Sequence, residues 1–149
     1  MIDISEKEII QRIARASGKI ILKKETIDKI KENQIEKGDV ITLAKIASIN
    51  AVKKVPDLIP FCHTIPIDNV KVDINFINHN TIEIVCTVKS FAKTGVEMEA
   101  LTGVSVALLN IWDVVKRHEK NVEGQYPFTK ITDIKVEEKI KKNFKENGK

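Results

Sequence analysis

The chain has 149 residues, 42% of them hydrophobic and 31% charged, with a formal net charge of +4 and a pI near 9.0. That composition fits a single domain, residues 1–149, with a real core, and excludes a chain too polar to fold. The basicity is local: residues 135–149 hold six Lys against three Glu, a surplus of 6 − 3 = +3 that leaves 4 − 3 = +1 for the other 134 residues, so the pI is poor support for a nucleic-acid surface.

Residues 9–22 fit a helix through Ile9, Ile13 and Ala16, or a strand through Ile10, Arg12, Ala14 and Ala16; "KIIL" and Gly18 favour an extended segment. "KETIDKIKEN" (24–33) is a short helix with Ile27 and Ile30 on one face. In "KGDVITLAKIASINAVKKVPD" the residues Val40, Leu43, Ala44, Ala47 and Ala51 recur at helical spacing, with Asp39 as N-cap and Pro56 as the stop. Residues 69–78 and 81–92 alternate with period two around an Asn78-His79-Asn80 turn, a β-hairpin that places Cys86 on its apolar face and so in the core. Residues 96–118 form the longest helix, with an apolar stripe of Leu101, Val104, Leu108, Ile111 and Val115. Its small residues Ala100, Gly103, Ser105 and Ala107 allow close packing, and Thr94 with Glu97 has capping-box spacing. After "YPFT", residues 130–142 alternate as a last strand, and 140–149 is a basic tail read as mobile. This order predicts an α+β, ferredoxin-like fold, a mainly antiparallel sheet with helices packed on one face.

Two cysteines, Cys62 and Cys86, make no disulfide framework. The opening "MIDISEKEIIQR" is too charged for a signal peptide, and no run approaches the ~18 apolar residues of a membrane span. The setting read from this is reducing and cytoplasmic.

Three segments carry more polar chemistry than packing requires. Lys37 precedes a helix N-terminus, a favourable place for an anion, although a solvated Lys is the ordinary occupant. Lys53 and Lys54 suit a helix C-terminus, as Glu97 and Glu99 suit an N-terminus. Asp113 and Lys116 are three apart on one helix face; on spacing alone they are a surface ion pair, and with an altered environment a proton-handling pair. Glu99 and Asp113 lie 14 residues apart, about 21 Å along one helix at ~1.5 Å per residue. A reacting atom near both requires a long ligand or clusters that meet across subunits. Within "DLIPFCHTIPI" the adjacent Cys62 and His63 lack the second spaced pair of a zinc site, since His79, Cys86 and His118 do not supply one. Neighbours in an extended segment also point to opposite sides, against a thiol–imidazole dyad. One of the two faces a site and the other packs.

The stretches "IDIS", "KGDVITLAKIASINAVKKVPDLIPFCHTIPI", "KTGVEMEALTGVSVALL" and "IWDVVK" together resemble the cyclic pyranopterin monophosphate synthases of molybdenum-cofactor biosynthesis, from about residue 2 to 139. The resemblance implies a phosphorus–oxygen lyase that converts 3′,8-cyclised dihydro-GTP to cyclic pyranopterin monophosphate and pyrophosphate. It implies Asp113, Lys116 and Lys37 as catalytic residues. It places substrate contacts at Phe61, Cys62, His63, Met98 and Glu99, with Lys53 and Arg12 near the phosphates and Lys139 on a mobile C-terminal loop. It further implies a hexamer, a trimer of dimers with sites at subunit interfaces; the residues themselves call for no cofactor, metal site, nucleic acid or membrane. Two departures stand out: Trp112 replaces a common Tyr, and "KIKKNFKENGK" replaces a glycine-rich ending. The alternative is a non-catalytic nucleotide- or RNA-binding ferredoxin-like module. That reading requires exposed aromatics on the hairpin, which offers only Phe76 and Phe91.

Overall fold

The computed structural model describes residues 1–143. Strand β1 (Ile10–Ile21) leads to helices α1 (Lys24–Lys31), α2 (Val40–Val52) and the short α3 (Val55–Leu58). The hairpin β2 (Asn69–Asn78) and β3 (Thr81–Ala92), helix α4 (Glu97–Glu119) and strand β4 (Lys130–Lys142) follow. The sheet order is β2-β3-β1-β4 with every neighbour antiparallel, the ferredoxin-like α+β arrangement expected.

Period-two patterning decides which face is inside. Ala14, Ala16 and Ile20 of β1 lie opposite Val88, Cys86 and Ile82 of β3, and all six are buried beneath the helices. The ambiguity over residues 9–22 resolves as strand, because this register buries the even-numbered set. Cys86 is wholly buried, and desolvation pushes its thiol up to about 11.

Helix α4 lies on β1 and β3 and against α2, and two glycines set how closely. A Cβ on Gly18 would come within 2.7 Å of Val104 and 2.8 Å of Leu108; one on Gly103 would come within 2.8 Å of Cys86 Sγ and 2.9 Å of Val52. Ala100 and Ala107 are also buried, while Ser105 turns its hydroxyl back to Leu101 O (2.8 Å). Among the described residues α4 alone has the length and composition of a membrane span, but half of that stretch is buried within the protein, as in a core helix.

The C-terminal end of α4 is pinned by a buried carboxylate. Glu119 accepts the backbone N–H of Lys23 (3.1 Å) and the hydroxyls of Thr26 and Thr129 (2.7 Å to Thr129), tying α4 to α1 and to the start of β4.

Three local expectations are corrected. Pro56 does not stop α2, which ends before it; it sits in the first turn of α3, where a missing N–H is harmless. Thr94 forms no cap, since the N-cap of α4 is Val96 and no side chain bonds there. Residues Ile140–Lys142 of the expected tail belong to β4, because pairing with β1 continues to Gln11↔Lys142. Residues 144–149 of that tail lie outside the described residues.

Replacing Gly103 by Val should overfill the α2–α4 contact and lower unfolding free energy by about 1–3 kcal/mol, measured by urea denaturation. An unchanged midpoint would show that the two helices can separate without loss.

Candidate active site

Lys37 lies in the turn between α1 and α2, where Gly38 (φ +118°) reverses the chain and Asp39 caps α2 by accepting from Ile41 N (3.0 Å) and Thr42 N (3.1 Å). The turn delivers Lys37 to α4, where its Nζ donates to Asp113 Oδ2 (3.0 Å) and to the Asp113 carbonyl (3.1 Å). Lys116, one turn further along α4, donates to the other oxygen, Asp113 Oδ1 (2.7 Å). The hydrogen bonds from Lys116 and then Lys37 hold the Asp113 carboxyl down at about 2, and the same bond from the other side raises Lys116. At neutral pH the cluster is one carboxylate gripping two ammonium groups. It is half exposed beside a shallow depression of about 340 Å³ bounded by Leu109, Trp112 and Ile131. Trp112 packs edge-on against Tyr126, 5.3 Å between ring centres.

A second, larger cavity of about 760 Å³ lies at the other end of α4. Its wall is the proline-bracketed segment after α3, contributing Phe61, Cys62 and His63, together with Glu97, Met98 and Glu99 from the first turn of α4. Phe61 is 77% exposed and lines this cavity. Glu99 is only 3% exposed, and burial raises its carboxyl, opposed by its own backbone N–H and reinforced by the neighbouring charge of Glu97. Cys62 is raised as well, by burial and then by Glu99, so its thiol is a poor nucleophile. The His63 Nε2–H donates to the Ile2 carbonyl (2.9 Å), which brings the N-terminal segment over the cavity.

The structure therefore brings Phe61, Cys62, His63, Met98 and Glu99 to one cavity, and Lys37, Asp113 and Lys116 to another cluster. It does not bring the two groups together within one chain. Lys139, expected on a loop, is in β4 opposite Ala14, and its Nζ pairs with Glu97 at the cavity edge. That pair and the backbone N–H hold Glu97 low against the burial that pushes it up. Arg12 is buried, and its guanidinium donates to the carbonyls of Ala92 (3.3 Å) and Lys93 (3.2 Å), bracing the connection from β3 into α4. Lys53 is the exposed C-cap of α2. Among the described residues no group of three or more His, Cys, Asp or Glu is arranged to hold a metal.

Sequence reasoning passed over Glu97, Val136 and the N-terminal residues Ile2, Ile4 and Lys7, all of which line the large cavity. "IDIS" was the one available signal for the N-terminal part. Glu97 had a sufficient structural explanation in the helix dipole, and Val136 reaches the cavity only through strand pairing.

The architecture and the two clusters define a ferredoxin-like α+β protein with a walled cavity at one end of a long helix and a Lys–Asp–Lys cluster near the other. The chain belongs to the MoaC family, whose pattern matches residues 1–142. It is 56% identical over 141 residues to a probable cyclic pyranopterin monophosphate synthase of Sulfurisphaera tokodaii, covering 95% of this chain and 93% of that one. Proteins of the same description from Thermococcus kodakarensis (55% identical, 95% and 90% covered) and Methanosarcina acetivorans (52%, 95% and 89%) are similar over the same length.

The raised Glu99 carboxyl carries a stability consequence. A carboxyl whose folded-state pKa lies above its unfolded value favours folding below the unfolded value, and that contribution is lost as pH rises through the folded one. Ionising the buried Glu99 therefore costs the folded state more than the unfolded one, and stability falls as pH rises across its titration. Glu99→Gln should raise Tm by a few degrees at pH 7–8, with the gain shrinking as pH falls toward about 4. Scanning calorimetry across pH checks this, and a lower Tm for the variant at pH 7–8 would contradict it.

Proposed function

We propose that this chain is a cyclic pyranopterin monophosphate synthase: it converts 3′,8-cyclised dihydro-GTP to cyclic pyranopterin monophosphate, releasing pyrophosphate. Family membership and curated relatives of that description over 95% of the chain support the reaction. The observation that carries the site is the division of its candidate residues along α4: Glu99 and Asp113 are 14 positions apart on one helix, about 21 Å.

In this reading the large cavity takes the cyclised purine against Phe61, Cys62, His63, Met98 and Glu99. Glu99, raised by burial, is suited to exchange a proton as the ring opens and recloses. Lys116 is held as an ammonium by Asp113 and can give a proton, while Lys37 beside it meets phosphate charge. Lys53 and Lys139 add cations for the triphosphate. Arg12 acts on the phosphates through the backbone it braces, in keeping with its burial.

The active site then forms where the cavity of one protomer faces the Lys37–Asp113–Lys116 cluster of another, in a homo-oligomer that we take to be a hexamer built as a trimer of dimers. Exposed Ile46 of α2 (52%) and Leu109 of α4 (59%) favour a surface covered by a second copy. A small-molecule substrate without nucleic acid or membrane, in the cytoplasm, agrees with free thiols at Cys62 and Cys86.

Incubation with cyclised dihydro-GTP should release pyrophosphate and yield a pterin that fluoresces after oxidation. Lys116→Ala should lose at least ~100-fold in turnover with the oligomer intact on a sizing column. His63→Ala should lose most activity and Cys62→Ser little. Co-expressed Lys116→Ala and His63→Ala chains should regain activity at about a quarter of the sites, because mixed interfaces pair an intact cavity with an intact cluster. No recovery in verified mixed oligomers would place each site within one chain. A salt-dependent RNA shift without pterin product would favour the binding-module alternative.

A further inference from the structure

Lys37 has to reach Asp113 from a turn, and a lysine side chain has little reason to stay where it is put. Its ion pair with Asp113 is half exposed, and exposed pairs hold a flexible side chain weakly. The backbone after Lys37 is held by the Gly38 turn, whose N–H donates to Ile35 O (3.1 Å), and by the Asp39 cap. What holds the residue before it is a contact outside the site. Glu36 Oε2 accepts from His118 Nε2–H (2.8 Å), with Arg117 Nη1 at 3.8 Å from the other oxygen.

His118 is a firm anchor. Its side chain is 16% exposed, and its carbonyl accepts from Lys23 Nζ (3.3 Å). The next residue is the buried Glu119, bonded to α1 and to Thr129. The last turns of α4 thus grip two consecutive residues of the α1–α2 turn: Glu36 through His118, and Lys37 through Asp113. Glu36 is held below the ordinary carboxylate range by its own backbone N–H and then by His118, so it meets the imidazole as an ionised acceptor.

We propose that His118 and Glu36 form a positioning clasp that fixes the α1–α2 turn on α4 and so sets Lys37 against Asp113 and Lys116; the inference rests on the catalytic reading of Lys37 above. Neither residue touches the two depressions. The clasp acts by removing freedom. A substrate phosphate competes with Asp113 for the Lys37 ammonium, and a turn held only by that ammonium would drift as the charge was shared. A turn held at Glu36 keeps Lys37 in reach throughout.

The test is steady-state kinetics on the oligomer with cyclised dihydro-GTP, comparing His118→Leu, His118→Gln, Glu36→Ala and the double variant, with Lys37→Ala as reference. His118→Leu and Glu36→Ala should each lower kcat roughly tenfold and leave KM within about twofold, since the lost term is alignment rather than binding. The double variant should lose no more than either single one, because both remove the same contact. His118→Gln, which keeps an N–H donor, should recover most of kcat. Wild-type kcat in a folded His118→Leu, additive losses in the double variant, or failure of Gln to recover would each overturn the clasp while Lys37→Ala stays inactive. Full turnover in Lys37→Ala would instead overturn the catalytic reading of Lys37, and the inference with it.

Discussion

One rigid helix governs this protein. Helix α4 runs from Glu97 to Glu119 with its small residues pressed onto α2 and the sheet, so the distance between its ends cannot adjust to a ligand. Everything chemically distinctive is mounted on it or against it. The cavity wall meets its first turn, the Lys–Asp–Lys cluster sits in its last third, and Glu119 ties its end into α1 and β4. Gly18 and Gly103 are therefore part of the site's architecture although neither approaches it. They let α4 lie close enough for its two ends to have fixed positions.

The same helix places two carboxylates in opposite environments. Glu99 is buried, with no cation paired to it among the described residues, and burial raises its carboxyl. Asp113 is half exposed between two ammonium groups, and its carboxyl falls to about 2. Environments that drive two acids apart assign them different work. Asp113 stays ionised at any physiological pH and serves to orient and charge Lys37 and Lys116. Burial shifts Glu99 the other way, toward keeping a proton, which is why the proton-exchange role is proposed for it. Cys62, raised by burial and then by the neighbouring Glu99, is a poor nucleophile, which weakens the dyad that the Cys62-His63 pair first suggests.

Much of this was legible because it is periodic. The alternation of β2 and β3 and the apolar stripe of α4 follow from burial on one face, and the α+β order follows from them. Pairing of Asp113 with Lys116 was legible from i,i+3 spacing; Lys37 was named as a candidate, but its contact with Asp113 was not legible. Lys37 is 76 positions away from Asp113, and nothing local says where a turn will be laid down. Failures at Pro56 and Thr94 have a common cause: a residue type favoured at a boundary does not fix which of several nearby boundaries it will occupy. The last strand was legible over 130–142 in spite of its many charges, and as an edge strand with a wet face it pairs with β1 as far as Lys142.

Arg12 shows how position within the sheet limits what a charged residue can do. Alternation in β1 sends Arg12 to the helix-covered face, where a guanidinium must be satisfied. The carbonyls of Ala92 and Lys93 satisfy it, and they lie where β3 gives way to the loop that starts α4. The geometry of Glu97, Met98 and Glu99 therefore depends on a residue that need not meet the ligand. The Lys139–Glu97 pair works on the same turn from β4, so two cations from neighbouring strands brace the start of α4 while Glu119 anchors its end. A helix held at both ends by buried or paired polar groups can present Glu99 and Asp113 at a constant separation, as the proposed site between two copies would require.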